Sequence, residues 1–145
     1  YLRRGLSVSE EFLEFALPTH SLSWDKDKGF TWDDSGCRTE CSWFGFKISI
    51  KEHANFSRTD LAKLLDENKI GNRMLFGGNL IRQPAFIELK KQNPNAYRQA
   101  SNTLGSDKIM NQTIFLGTYP GLTKNMLDFE IKTINNFVET AKTNQ

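Results

Sequence analysis

Along Ser42–Ile50, Ser-Trp-Phe-Gly-Phe-Lys-Ile-Ser-Ile, the apolar positions Phe44, Phe46, Ile48 and Ile50 alternate with Gly45, Lys47 and Ser49, and Trp43 falls on the second side. A period of two sends alternate side chains to opposite faces, so the stretch predicts a strand with its phenylalanines and isoleucines in a core. Near the other end Leu127, Ile131, Ile134 and Val138 recur at four, three and four residues, which predicts an amphipathic helix over 123–141. Leu61, Leu64 and Leu65 form a shorter stripe. Ser57 precedes it as a cap and Asp60 favours the positive helix end, giving a helix over 58–68 that stops near Asn68.

Weaker patterns fill the gaps. Residues 1–12 suggest the tail of a helix, interrupted by Gly5 and by Ser7 and Ser9. Phe12–Leu17 alternates as a short strand closed by Pro18, and Met74–Phe76 is a second short candidate. Pro84 opens a helical turn carrying Phe86, Ile87 and Leu89, followed by a turn at 92–95. Thr103–Asn111, with Asp107 ahead of Ile109 and Met110, predicts a short helix leading into a strand over Thr113–Thr118, and Pro120-Gly121 turns the chain. Residues 19–41 are polar and turn-rich, which predicts a long surface loop with a small hairpin around Lys28 and Gly29. Strands separated by capped helices of one apolar face imply a two-layer α+β (or α/β) domain over 1–145.

Lys69–Phe86 follows neither period. Gly77 and Gly78 permit positive φ or a close approach to a ligand, and Gln83 is pushed toward extended backbone by Pro84. Arg73 and Arg82 flank this glycine pair and Asn79, and a guanidinium fork matches phosphate or carboxylate bidentately. The stretch reads as a binding loop; the alternative is a Gly-rich connector whose arginines are merely solvated.

Composition narrows the function. The 145 residues suit one domain, and 38% hydrophobic with 25% charged residues is ordinary for a globular chain. A net charge of +2 with scattered basic residues gives no footprint for nucleic acid. No apolar run reaches the length of a membrane span and the start lacks a signal-peptide core, so a cytoplasmic setting is expected. The chain opens on Tyr1 rather than Met, which suggests a stretch of a longer protein.

Candidate chemistry is sparse. Cys37 and Cys41 form a C-x3-C pair with no second pair to complete four ligands, so both read as ordinary thiols. His20 and His53 lie apart with no nucleophile beside either, and adjacent Asp33 and Asp34 point apart in a solvated turn. On its residues alone the chain binds something or completes a site without carrying a full catalytic apparatus. A non-catalytic binding or interaction module is one form this takes.

Three segments carry a resemblance: Ser42-Trp43-Phe44-Gly45-Phe46, Asn68–Phe86, and Asp107–Asn111 running on to Tyr119–Thr123. In this order and spacing the chain, from about Leu2 to Val138, resembles the C-terminal part of the RfbH-like nucleotide-sugar 3-dehydratases (CDP-6-deoxy-4-hexulose 3-dehydratases) of the DegT/DnrJ/StrS aminotransferase superfamily. The resemblance implies the small C-terminal domain of a fold-type I pyridoxal-phosphate-dependent enzyme, with a short, mostly antiparallel sheet packed on helices. It implies a parent enzyme that uses pyridoxamine phosphate to remove the C3 hydroxyl of a CDP-linked 4-keto-6-deoxyhexose, in lipopolysaccharide O-antigen or other deoxysugar synthesis. A [2Fe-2S] cluster, a homodimer and a partner reductase are implied with it. Cofactor and cluster belong to the larger N-terminal domain, so no cofactor is expected in this chain, and Cys37 and Cys41 do not match the cluster cysteines. Residues 22–41 are longer and more polar than the family pattern. Carried over by position, Arg73, Phe76, Asn79 and Arg82 are the candidates for contact with substrate or with the cofactor-bearing domain. The small domain of a related pyridoxal-phosphate-dependent sugar aminotransferase is the nearest rival, and a non-catalytic sugar-nucleotide binding module is the other alternative.

Overall fold

The computed structural model describes residues 1–40 and 42–143; Cys41, one half of the C-x3-C pair, lies outside them. In chain order the elements are helix α1 (Leu2–Gly5), a 3-10 turn at Ser7–Ser9, strands β1 (Leu13–Phe15), β2 (Ser21–Asp25), β3 (Gly29–Trp32) and β4 (Gly45–Ile50), helix α2 (Arg58–Glu67), strand β5 (Asn72–Met74), a 3-10 turn at Leu80–Arg82, helices α3 (Pro84–Gln92) and α4 (Leu104–Gln112), strand β6 (Thr113–Gly117) and helix α5 (Lys124–Thr143). Four strands make an antiparallel sheet in the order β1-β4-β6-β5, and β2 with β3 makes a separate hairpin.

The register explains the two faces. Ile48 pairs with Ile114 and with Phe15, Phe46 with Leu116, and Ile50 with Leu13, so these side chains share one face. Against it pack Leu2 and Leu6, Leu61 and Leu65 of α2, and Ile134 and Val138 of α5, all buried in one core. The cap predicted for α2 is present as a reciprocal box. The Ser57 hydroxyl accepts from the Asp60 N–H (3.2 Å) and the Asp60 carboxylate accepts from the Ser57 N–H (2.8 Å).

On the second face Ser49 and Thr113 share a buried hydroxyl bond of 2.8 Å. Helix α4 crosses beside them, joined to β1 by the Lys108–Glu14 ion pair at 2.6 Å. Helix α4 covers only part of this face, and the remainder, around Phe115, stays open.

Three expectations are adjusted. The strand predicted from Ser42 begins at Gly45, so Phe44 leaves the alternation and stands 74% exposed instead of in the core. The short strand predicted at Met74–Phe76 lies two residues earlier, and Phe76 sits in the following turn with φ 49°. The hairpin at Lys28-Gly29 is present and longer than expected, its Asp25 carboxylate accepting from the Asp27 and Lys28 N–H groups to close the turn.

Candidate functional site

Strand β6 presents Phe115 on the open face, and its cross-strand partners are Lys47 of β4 on one side and Arg73 of β5 on the other. A basic–aromatic–basic row therefore crosses three strands. The ring of Phe115 has room because Gly45 lacks a side chain; a Cβ there would come within 2.4 Å of the ring. Phe44 and Phe76 close over it, with ring centroids 5.7 Å and 6.2 Å from Phe115 and 6.1 Å from each other. Phe76 is 77% exposed, so the cluster is an aromatic platform at the surface and not an extension of the core. Among the described residues no carboxylate lies within ion-pair distance of Arg73 or Lys47.

Arg82 and Asn79 are placed differently. Arg82 donates from Nε and Nη2 to the two oxygens of Asp107, the second bond being 2.8 Å, and Asn79 donates from Nδ2 to Oδ1 of the same carboxylate at 2.8 Å. Asn79 is buried. The hydrogen bonds from Arg82 and then Asn79 hold the Asp107 carboxyl below its ordinary range, and Asp107 in turn raises Arg82. The latch fixes the loop on α4. Gly78, with φ 60°, lies against Met110, and Gln83 donates to the Gly77 carbonyl at 2.8 Å. Of the four positions singled out in the sequence, Arg73 and Phe76 each neighbour Phe115, while Asn79 and Arg82 hold the loop to α4 through Asp107.

Sequence patterns did not single out Lys47, Phe44 or Phe115 as site residues. The register supplies the signal, since Lys47 and Arg73 share one partner. His20 meets Asp33 (3.1 Å) and Ser35 (3.3 Å) through the same ring nitrogen, Nδ1, at the open end of the hairpin. A histidine relay needs both nitrogens, one for each neighbour, so this exposed trio is not a nucleophile–base arrangement.

Around the edge of β4 lies a cleft of about 990 Å³ between α1, the hairpin and the start of α5, with Trp24, Phe30, Trp43 and Phe46 among its walls. Arg3 sits in it, its guanidinium 4.5 Å from the Phe15 ring and 4.2 Å from the Trp24 ring and paired with Glu10.

The carboxylate at the site, Asp107, is already engaged by Arg82 and Asn79, and no three His, Cys, Asp or Glu side chains converge on a metal position among the described residues. No helix among them is long and apolar enough to cross a membrane.

The α+β fold, an antiparallel sheet packed on helices, is the fold found in part of the structurally similar fold-type I enzymes. The E. coli GDP-4-keto-6-deoxy-D-mannose-3-dehydratase, solved with bound hydrated PLP, superposes with a TM-score of 0.65 at 18% identity over 92% of this chain and 28% of that one. Residues 26–135 match the DegT/DnrJ/EryC1/StrS aminotransferase family model, and the chain belongs to that family. It is 40% identical over 137 residues to the lipopolysaccharide biosynthesis protein RfbH of Salmonella typhimurium, covering 94% of this chain and 26% of that protein. It is also 41% identical over 97 residues to the dTDP-4-dehydro-2,6-dideoxy-D-glucose 3-dehydratase of Saccharopolyspora spinosa, covering 67% of this chain and 20% of that enzyme. The chain thus spans about a quarter of the length of the relatives it matches.

Proposed function

We propose that this chain is the small C-terminal domain of a cytoplasmic nucleotide-sugar 3-dehydratase and that the open platform closes over the nucleotide-sugar. The observation that carries the reading is the row Lys47–Phe115–Arg73 beneath the rings of Phe44 and Phe76. A flat, apolar base or sugar face stacks on exposed rings, while an unpaired arginine fork takes a phosphate. The 3-dehydratases among the relatives favour this over the aminotransferase reading. The substrate is a nucleotide-linked 4-keto-6-deoxyhexose, CDP-linked on the resemblance of the motifs. Removal of the hydroxyl falls to pyridoxamine phosphate in the larger N-terminal domain, which docks along the cleft beside Tyr1 and Trp43. This chain contributes binding, orientation and exclusion of water. The homodimer, the [2Fe-2S] cluster and the partner reductase belong to the same proposal.

The test is steady-state kinetics on the intact enzyme. Arg73→Ala should raise KM for the nucleotide-sugar about tenfold or more with a smaller change in kcat, as expected when one charged contact to a ligand is lost. Phe76→Ala should act in the same direction. Wild-type KM in both variants would refute the platform, and transfer of an amino group in place of loss of the C3 hydroxyl would move the enzyme to the aminotransferases.

A further inference from the structure

We propose that a second cavity, with Glu130 in its lining, binds an alkylammonium or alkylguanidinium group through the Glu130 carboxylate. The inference is independent of the nucleotide-sugar reading. Glu130 stands one turn before Ile134 and two before Val138, on the stripe by which α5 packs into the core. A carboxylate at such a position costs stability unless something satisfies it. Glu130 is 9% exposed, and its Oε2 is fully buried with no hydrogen-bond donor among the described residues.

Beside it is a cavity of about 290 Å³. At roughly 30 Å³ per water this is room for a slim organic group. The space is left by the chain's own design. Gly71 and Gly117 border it just past the last β5–β6 pair, and a Cβ built on either would meet nothing within 4 Å. Ile70, Met126 and Phe129 make the remaining wall apolar, and Tyr119 presents a ring at its side. Apolar walls with one acidic group select a ligand with a hydrocarbon stem and a cationic tip, and the aromatic rings add attraction for that cation.

The chain's own cation does not fill this role. Lys69 is exposed at the mouth, and its ammonium stays outside the 4 Å ion-pair distance of Glu130. Its backbone is set at φ 60° by the N–H bond to the Asp66 carbonyl at 3.0 Å. The terminal torsion of a glutamate is soft, so the buried oxygen turns toward an entering donor without moving the helix.

The experiment is an amide chemical-shift titration of this chain with n-butylammonium and with ethylguanidinium, against n-butanol at matched ionic strength. Saturable shifts centred on Gly71, Gly117 and Phe129 are expected for the cations, with butanol weaker by about tenfold or more. Glu130→Gln should weaken cation binding by a similar factor, and Glu130→Leu should abolish it while keeping the fold, since it restores an apolar stripe. N-acetyl-lysine and N-acetyl-arginine methylamides form a second arm. Tighter binding of these than of the free amines assigns the occupant to a basic side chain of a polypeptide, and the reverse assigns it to a small amine; either supports the site. Shifts that fail to saturate by roughly 100 mM, that survive in Glu130→Gln, or that butanol reproduces would overturn it.

Discussion

Gly78 decides how the loop between β5 and α3 lies on α4. Its φ of 60° disfavours any side chain, and a Cβ there would stand 2.8 Å from Met110 Cβ and 3.1 Å from the Met110 backbone. Gly78→Ala should therefore destabilise the chain by about 2–3 kcal/mol, read from urea unfolding, and should weaken the Asn79–Asp107–Arg82 latch with it. Asp107 and the platform show how much of this scale the sequence disclosed. Arg73 and Arg82 stood out together because both are arginines beside glycines. Their separation into one free fork and one braced fork depends on Asp107, 25 residues beyond Arg82, and no local spacing reports such a contact. Phe44 was misassigned to the core for a related reason. Alternation is informative only inside a strand, and the strand starts one residue later.

Among the elements, α5 was the most legible, because its stripe of Leu127, Ile131, Ile134 and Val138 obeys a single period. The same stripe contains Glu130, which a search for apolar residues passes over. Burial raises the Glu130 pKa, desolvation being the cause. A raised folded-state value means that the folded protein binds the extra proton. The associated stability is complete below the unfolded carboxylate range and is lost as pH rises through the folded value. The nearest titratable neighbours lining its cavity are Lys69 and Tyr119. The stability difference between Glu130→Gln and wild type should accordingly grow in favour of the variant as pH rises above the unfolded carboxylate range, in thermal melts over a pH series. Asp107 and Asp60 run the other way. Their lowered values make stability that is present above the unfolded carboxylate range and lost as pH falls through the folded one, so only the difference from the variant isolates Glu130.

At the scale of the molecule, the hairpin has no backbone pairing to the four-stranded sheet. Arg3, stacked between Phe15 and Trp24, bridges the two bodies. Arg3→Ala should release the hairpin, raising hydrogen exchange at its amides by about tenfold and leaving those of Ile48 and Ile114 unchanged. The class of fold was readable from alternating strands and capped helices. The strand order was not, because β4 takes both its partners from outside its sequence neighbours, β1 on one side and β6 on the other. That order has a consequence for how the chain comes off the ribosome. Strand β4 waits more than sixty residues for β6, and Asn135 ties Ser9 (2.7 Å) and the Gly5 carbonyl (2.9 Å) at the opposite end of the chain to α5. Synthesis from β1 toward α5 therefore leaves one edge of β4 unpaired until β6 is made, and the Leu2–Leu6 surface uncovered until α5 emerges. Contacts this distant in sequence make folding slower than local contacts would at this size, and leave apolar surface exposed until Ile134 and Val138 arrive.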